Sequence, residues 1–394
     1  MSSNWKKVKL STLCERIGDG LHGTPQYSET SNIFFINGNN IKNGKILYDN
    51  ETKKVDTKEL EKKFIKLNKN SLLISINGTL GNMAFYKGEN IMLGKSAAYL
   101  NFKTNINQFY YYYFQLPNIQ KYFYDVATGS TIKNLSLKSL QDFEVPIPDN
   151  NEYQKIASVL SALDDKIELN NRINAELEAM AKTLYDYWFV QFDFPNEEAK
   201  PYKSSGGKMV YNETLKREIP EGWEVKKMSF FEMYQPQTIS EKELNNNLKY
   251  YVFGANGIIG KYDKFNHLDS EIVVTCRGNS CGNIIRTLPE SWITGNAMVI
   301  KSIEEFIESE FIFQMLNWIG IKKVITGSGQ PQITRVNLET LDFVLPKKNI
   351  LSQFNELVRP IVEKKLQLFK QNQELSALRD WLLPMLMNGQ VKVG

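Results

Sequence analysis

Five features of this chain occur twice, in the same order, at separations between 198 and 218 residues. Trp5-Lys-Lys-Val-Lys-Leu10 returns as Trp223-Glu-Val-Lys-Lys-Met228, the second time behind Ile219-Pro-Glu-Gly. Leu73-Ile-Ser-Ile-Asn-Gly78 with Gly81-Asn82 returns as Val274-Thr-Cys-Arg-Gly278 with Gly282-Asn283, and Gly94-Lys-Ser-Ala97 as Gly295-Asn-Ala297. Thr128-Gly-Ser130 with Leu140, Asp142, Phe143 and Pro146 returns as Thr326-Gly-Ser328 with Leu341, Asp342, Phe343 and Pro346, and each copy ends in a long amphipathic stretch. Self-similarity of this kind decides the architecture before any other signal. A length of 394 residues also exceeds what one hydrophobic core organises comfortably. The chain is therefore predicted to be α+β, two diverged mixed α/β domains each followed by a long helix, with an internal pseudo-two-fold repeat. The boundaries fall at 1–148 for the first domain, 149–193 for the first long helix and 194–218 for a linker. The second domain then covers 219–348, and the second helix with a C-terminal tail 349–390.

Within each copy, short β-branched or aromatic runs cut by Gly and Asn predict strands joined by exposed loops, at Asn32 to Ile36, Ser71 to Ile76, Glu271 to Thr275 and Ala297 to Ile300. The aromatic run Phe109 to Phe114 and its counterpart Phe306 to Trp318 predict helices packed on those sheets, so their rings belong to the core rather than to base stacking.

The first long helix opens on Asp149 with Glu152 three residues on, the spacing of a capping box. A heptad seam follows through Ile156, Leu160, Leu163, Ile167, Asn170, Asn174, Leu177, Ala181, Leu184 and Trp188. The second seam takes Phe354, Leu357, Ile361, Lys364, Leu368, Gln371, Leu375, Leu378, Leu382 and Met385, with Pro360 expected to kink or restart the helix. A pseudo-two-fold axis makes the two helices antiparallel, as a coiled coil. Setting Ile156 against Met385 and Trp188 against Phe354 then places Asn170 opposite Gln371. Asn170, Asn174 and Gln371 become register-fixing polar residues, or else they face solvent at a frayed seam. From 156 to 188 such a helix runs about 48 Å at ~1.5 Å per residue, long enough to hold two domains apart.

Composition adds a mild bias. Residues 1–148 carry 19 basic against 12 acidic side chains, which makes a polyanionic partner plausible beside the commoner reading of a solvated Lys-rich face. No apolar run approaches the ~20 residues of a membrane helix, no signal peptide is indicated, and three cysteines without a framework fit a reducing compartment. A cytoplasmic protein without membrane partners is expected.

Catalytic signatures fail one by one. Gly88 to Ser96 is one residue too long for a phosphate-cradling loop, and Gly254, Gly257 and Gly260 lack the tight Gly-x-Gly of a pyrophosphate site. Pro148-Asp149 with Glu152 and Lys155 has the wrong Glu-to-Lys spacing for a metal nuclease. His267, Cys276 and Cys281 offer three ligands where a closed zinc site takes four, and the other imidazole, His22, lies in the other copy. No Pro-Pro dipeptide is present, so the loop that grips a flipped adenine in amino-methyltransferases is missing. No catalytic residues and no metal site are expected.

Four stretches carry a family resemblance that covers essentially the whole chain. They are Leu163-Asp-Asp-Lys-Ile-Glu-Leu-Asn-Asn-Arg-Ile-Asn174 running on to Tyr187-Trp188-Phe189; Ile219-Pro-Glu-Gly-Trp223; Gly327-Ser-Gly-Gln-Pro-Gln-Ile333; and Leu382-Leu-Pro-Met-Leu-Met-Asn-Gly389. Together they resemble the specificity subunit of type I DNA restriction-modification enzymes. In the first copy Gly129-Ser-Thr-Ile-Lys133 departs from the Gln-Pro-Gln of the second.

The resemblance implies two target recognition domains, each reading one half of a bipartite, asymmetric site in double-stranded DNA, and helices that separate them and dock two methyltransferase subunits. Those partners would bind S-adenosylmethionine and methylate adenine N6. Restriction subunits would use ATP and Mg2+ for translocation and cleavage, leaving this chain non-catalytic and without a cofactor of its own. Base edges in the major groove are read by Arg, Lys, Asn and Gln on loops, and these loops are rich in them. The candidates in the first copy are Asn39, Asn40, Lys42, Asn77, Thr79, Lys95, Ser130, Thr131 and Lys133; in the second, Asn256, Lys261, Arg277, Asn279, Gln330, Gln332 and Arg335.

Overall fold

The computed structural model describes all residues except 1–4, 63–64, 149–151, 279, 328 and 394. Asp149 of the expected capping box therefore lies outside the described residues. The chain divides into two compact units, Met1–Glu168 with Asn372–Gly394, and Leu169–Gln371.

In the first unit a four-stranded antiparallel sheet has the order Cys14–Asp19, Ala97–Phe102, Ser71–Ser75, Met83–Phe85. The two central strands are buried along their whole length, which is why Leu72, Leu73, Ile74 and Leu100 read as unbroken apolar runs rather than alternating ones. A second sheet places Ile33–Ile36 between antiparallel Lys54–Val55 and parallel Ile91–Leu93. A third ladder ties Lys6–Lys9 to Glu144–Ile147.

The second unit repeats these three sheets. Its four-stranded sheet has the order Glu232–Tyr234, Ala297–Lys301, Ile272–Thr275, Ile284–Arg286. Its three-stranded sheet sets Tyr250–Gly254 between antiparallel Gly257–Tyr262 and parallel Trp292–Ile293. Glu224–Lys227 pairs with Asp342–Leu345. Residues 194–218 are folded rather than extended, with Phe194 stacked between Tyr202 and Trp223 and a hairpin of Met209–Asn212 against Arg217–Pro220.

The aromatic runs are largely core, as their spacing predicts, with the exception of Trp318, which is 52% exposed at the end of its helix. Asn107–Tyr113 forms a helix whose Phe109 and Tyr110 are fully buried, and the Tyr110 hydroxyl donates to the Pro146 carbonyl at 2.8 Å. In the second unit Ser309–Ile319 buries Phe311 against Tyr185 and Phe189.

The first long helix runs Glu152–Tyr185 and widens into a π turn over Asp186–Val190. Ile156, Ala157 and Leu160 join the first unit's core together with Leu383, Leu386 and Met387. Tyr185 and Trp188 join the second unit's core with Leu351, Phe354 and Val358, and the Trp188 and Phe354 rings lie 5.9 Å apart. Within the second unit, Asn170 meets Gln371 and Glu178 meets Lys365, so the two helical segments run antiparallel there.

Lys348–Met387 is continuous, so the second helix does not restart at Pro360. Pro360 and Glu356, whose carbonyl loses its amide partner, both lie on the exposed face, where water can take the place of the missing bond. The seam is also shifted at three positions, while Gln371 keeps its contact with Asn170. Leu357 and Leu378 are half exposed and Lys364 is exposed, whereas Val358, Lys365 and Arg379 turn inward. Phe354, Ile361, Leu368, Leu375 and Leu382 keep their predicted side.

Candidate nucleic-acid interface

Strand Ser71–Ser75 leaves its sheet through a turn at Asn77-Gly78-Thr79, where Gly78 has φ +77°. The turn seats on Gly38: the Thr79 hydroxyl donates to the Gly38 carbonyl at 2.7 Å, and the Gly38 amide donates to Ser96 Oγ at 2.9 Å. A Cβ at Gly38 would lie 2.3 Å from Ser75 Oγ, so only glycine lets these loops approach. A hairpin over 128–134 closes the cluster. Thr128 and Asn134 exchange backbone hydrogen bonds, Asn134 faces Asn77 across a bridge, and Leu135 donates its amide to the Ile76 carbonyl at 2.9 Å.

The second unit builds the same joint. Thr326 and Gln332 exchange backbone hydrogen bonds, Gln332 faces Arg277, and Ile333 donates its amide to the Cys276 carbonyl at 3.0 Å. Here the turn is braced differently. Ser280 Oγ donates to the Ala255 carbonyl at 2.5 Å and lies 2.8 Å from Asn256 Oδ1, which pins the tip of the 250–262 hairpin beside it.

The structure thus brings Asn39, Asn77, Thr79 and Lys95 to one set of loop ends, with Ser130, Thr131 and Lys133 on the adjoining hairpin. Lys42 lies on a separate two-residue ladder with Lys45–Ile46. Their availability differs. Asn40 accepts from the Asn37 amide at 3.0 Å and donates to the Leu47 carbonyl at 2.9 Å, so its amide already holds its own turn. Lys133 lies 5.1 Å from the Tyr124 ring centroid and donates to the Ala127 carbonyl. Ser130 and Thr131 are exposed, as are Lys42 and Lys95, which have no carboxylate partner among the described residues.

In the second unit Asn256, Arg277, Gln330 and Gln332 are exposed, while Asn279 lies outside the described residues. Lys261 sits over the Tyr251 ring at 4.8 Å. Arg335 donates to Glu339 at 2.7 Å within its own short helix. Arg217 caps the Val190 carbonyl, Arg286 holds Glu310 and Arg359 holds Glu308. Arg277, by contrast, presents its guanidinium with no acidic partner among the described residues. Two residues at these joints escaped the sequence reading, Asn134 and Ser280. The repeat offers a signal for Asn134, which stands as far before Gln332 as Thr128 before Thr326.

Cys14, Cys276 and His267 are wholly or partly buried. Burial pushes the Cys14 thiol up to about 12 and the Cys276 thiol to about 11, where neither is a thiolate near neutral pH. His267 is hydrogen-bonded to the Tyr234 hydroxyl at 3.0 Å, and burial holds its pKa below the ordinary value. Among the described residues no group of His, Cys, Asp or Glu is placed to hold a metal ion, and no helix is long and apolar enough to cross a membrane.

Comparison with known proteins agrees with this duplicated arrangement. The family model described as the type I restriction modification DNA specificity domain matches residues 2–179 and again 220–369, once in each copy. The MjaIX specificity subunit of a type I restriction enzyme from Methanocaldococcus jannaschii is 29% identical over 73% of this chain and 70% of its own length. The HindI specificity subunit from Haemophilus influenzae is 24% identical over 99% of this chain and its whole length. The crystal structure of a type I restriction-modification S subunit from M. genitalium shares the fold, with a TM-score of 0.61 at 18% identity over 97% of this chain and 96% of that one. With its family model matched across most of its length, this chain belongs to the type I restriction-modification DNA specificity family.

Proposed function

We propose that this chain is the address-reading subunit of a type I restriction-modification complex. Residues 1–148 and 219–348 each read one half of a bipartite, asymmetric site in double-stranded DNA. The helices over 149–193 and 349–390 form an antiparallel coiled coil that separates the readers and docks two copies of a modification methyltransferase. Adenine N6 methylation and DNA cleavage belong to partner subunits, which bind S-adenosylmethionine, ATP and Mg2+; the chain itself binds no cofactor and works in the cytoplasm.

One observation carries this reading: the two hydrogen-bonded joints are superposable in plan yet differ in the side chains they present. Asn77 faces Asn134 in one unit where Arg277 faces Gln332 in the other. The scaffold is kept and the lettering changed, as two readers of different half-sites require. Arg, Asn and Gln side chains of this kind recognise base edges bidentately. Among the described candidates, Arg277, Gln332, Asn77 and Lys95 are among those left free for that work, whereas Asn40 and Arg335 serve their own turns.

Gel-shift titration of the chain with its methyltransferase partner, on mixed duplexes at several salt concentrations, tests the reading. A salt-sensitive shift that survives non-specific competitor is expected. A complex that forms without any DNA shift would leave a coiled-coil scaffold and contradict it.

A further inference from the structure

Each unit links an acid on the first long helix to a cation on the second, and the acid also takes a hydrogen bond from the domain. In the first unit Asp164 accepts from the Tyr112 hydroxyl at 2.7 Å and from Arg379 at 2.7 Å. In the second, Glu178 accepts from Gln314 and pairs with Lys365. The repeat makes these positions equivalent in a particular way. The offset of 201 residues that relates Gly94 to Gly295 and Leu140 to Leu341 also makes Asn170 equivalent to Gln371, which it meets. At that offset Asp164 corresponds to Lys365, and Glu178 to Arg379.

The two copies therefore carry opposite charges at matching seam positions. The first helix has acids at both sites and the second has cations at both. An antiparallel pair of two first helices would set Asp164 against Glu178 of its mate, twice; two second helices would set Lys365 against Arg379, twice. All four side chains are partly buried, at 22–37% exposure, where like charges repel more than on an open surface.

We infer that this charge polarity is a pairing code, restricting each half of the chain to the other half and excluding self-association of either. Pairing by opposite charge and exclusion by like charge are the two arms of interaction specificity. The code stands apart from DNA reading. Joined to the function proposed above, it keeps the reader asymmetric, because two identical halves would read a symmetric site.

The test keeps opposite charges at both cross-helix pairs, Asp164–Arg379 and Glu178–Lys365, while changing what each helix makes of itself. D164R/R379D and E178K/K365E each leave opposite charges facing within the chain, yet give every helix one acid and one cation, so that it becomes self-complementary. The quadruple variant restores uniform, inverted helices. In each protein the folded full chain is cut at a protease site placed in the exposed turn 203–206. Isotope-labelled and unlabelled cut protein are then mixed in urea just sufficient for the halves to exchange, and native mass spectrometry counts mixed and like pairs.

Like pairs are expected to be scarce in the wild type, to rise roughly tenfold or more in either double variant, and to fall again in the quadruple variant. The same fraction of like pairs in all four proteins, once label has exchanged, would overturn the inference. The two double variants test it independently should one fail to fold. Because no DNA is present, failure here leaves the DNA-reading function untouched, and failure of that function leaves this result standing.

Discussion

Arg277 and Gln332 face each other across an isolated antiparallel bridge, at the point where the 326–332 hairpin closes onto the end of the strand Ile272–Thr275. Two loops far apart in sequence thus present one arginine and one glutamine side by side. The equivalent bridge in the first unit joins Asn77 to Asn134. The conformation of these hairpins, more than any single side chain, governs whether the paired residues stay in place.

Gly129 and Gly327 should be intolerant of any side chain. Their φ values are +104° and +87°, and an added Cβ would lie 2.3 Å from the Ile132 carbonyl oxygen and 2.4 Å from that of Gln330. Replacing either by alanine is expected to cost about 2 kcal/mol of local stability. Hydrogen exchange at the Leu135 or Ile333 amide should accelerate only in the unit that carries the change.

The Arg286–Glu310 pair should behave as a buried ion pair. Glu310 is 2% exposed, accepts from Arg286 at 2.6 Å and from Gln314 at 2.8 Å, and burial lowers the Arg286 pKa. Arg286→Met alone leaves a buried carboxylate and is expected to cost about 3 kcal/mol, whereas R286M/E310M recovers most of it. Urea titration of both variants checks the difference; equal losses would make the pair incidental.

Much of this fold was legible in the sequence because a duplication shows each element twice. The sheets, the buried aromatic helices and the Asn170–Gln371 contact follow from repeat offsets and heptad counting. The second seam was half legible for a physical reason. Its inward positions at 365 and 379 are Lys and Arg, which apolar periodicity steps over in favour of Leu357 and Leu378. Only the facing acids, Glu178 and Asp164, make those cations inward residues. The candidate site was legible as a set of loops but not residue by residue. Asn40 and Arg335 have the right chemistry, and local hydrogen bonds occupy both.

Gln371→Ala removes the acceptor of the 2.8 Å hydrogen bond from the fully buried Asn170 amide. A loss of about 1–3 kcal/mol is expected, measurable as a lower urea midpoint, with Gln371→Asn unable to restore it because the shorter side chain cannot span the gap.

His267 gives the second unit an acid sensitivity. Its folded pKa lies below the ordinary 6.5, because burial disfavours the imidazolium, so the unfolded chain binds the proton first. Its contribution is fully present above pH 6.5 and is lost as pH falls through the lower folded value. His267→Gln should flatten that part of the stability profile; an unchanged slope would assign the acid sensitivity to other groups.

Mapping methylated adenines across the genome of a host that carries this chain and its methyltransferase tests the central claim most directly. With the wild-type chain, methylation should mark one bipartite motif with two different halves. With Arg277→Ala, one half of that motif should relax while the other is unchanged. Equal loss of both halves, or a motif that is not bipartite, would contradict two independent readers on one duplicated frame.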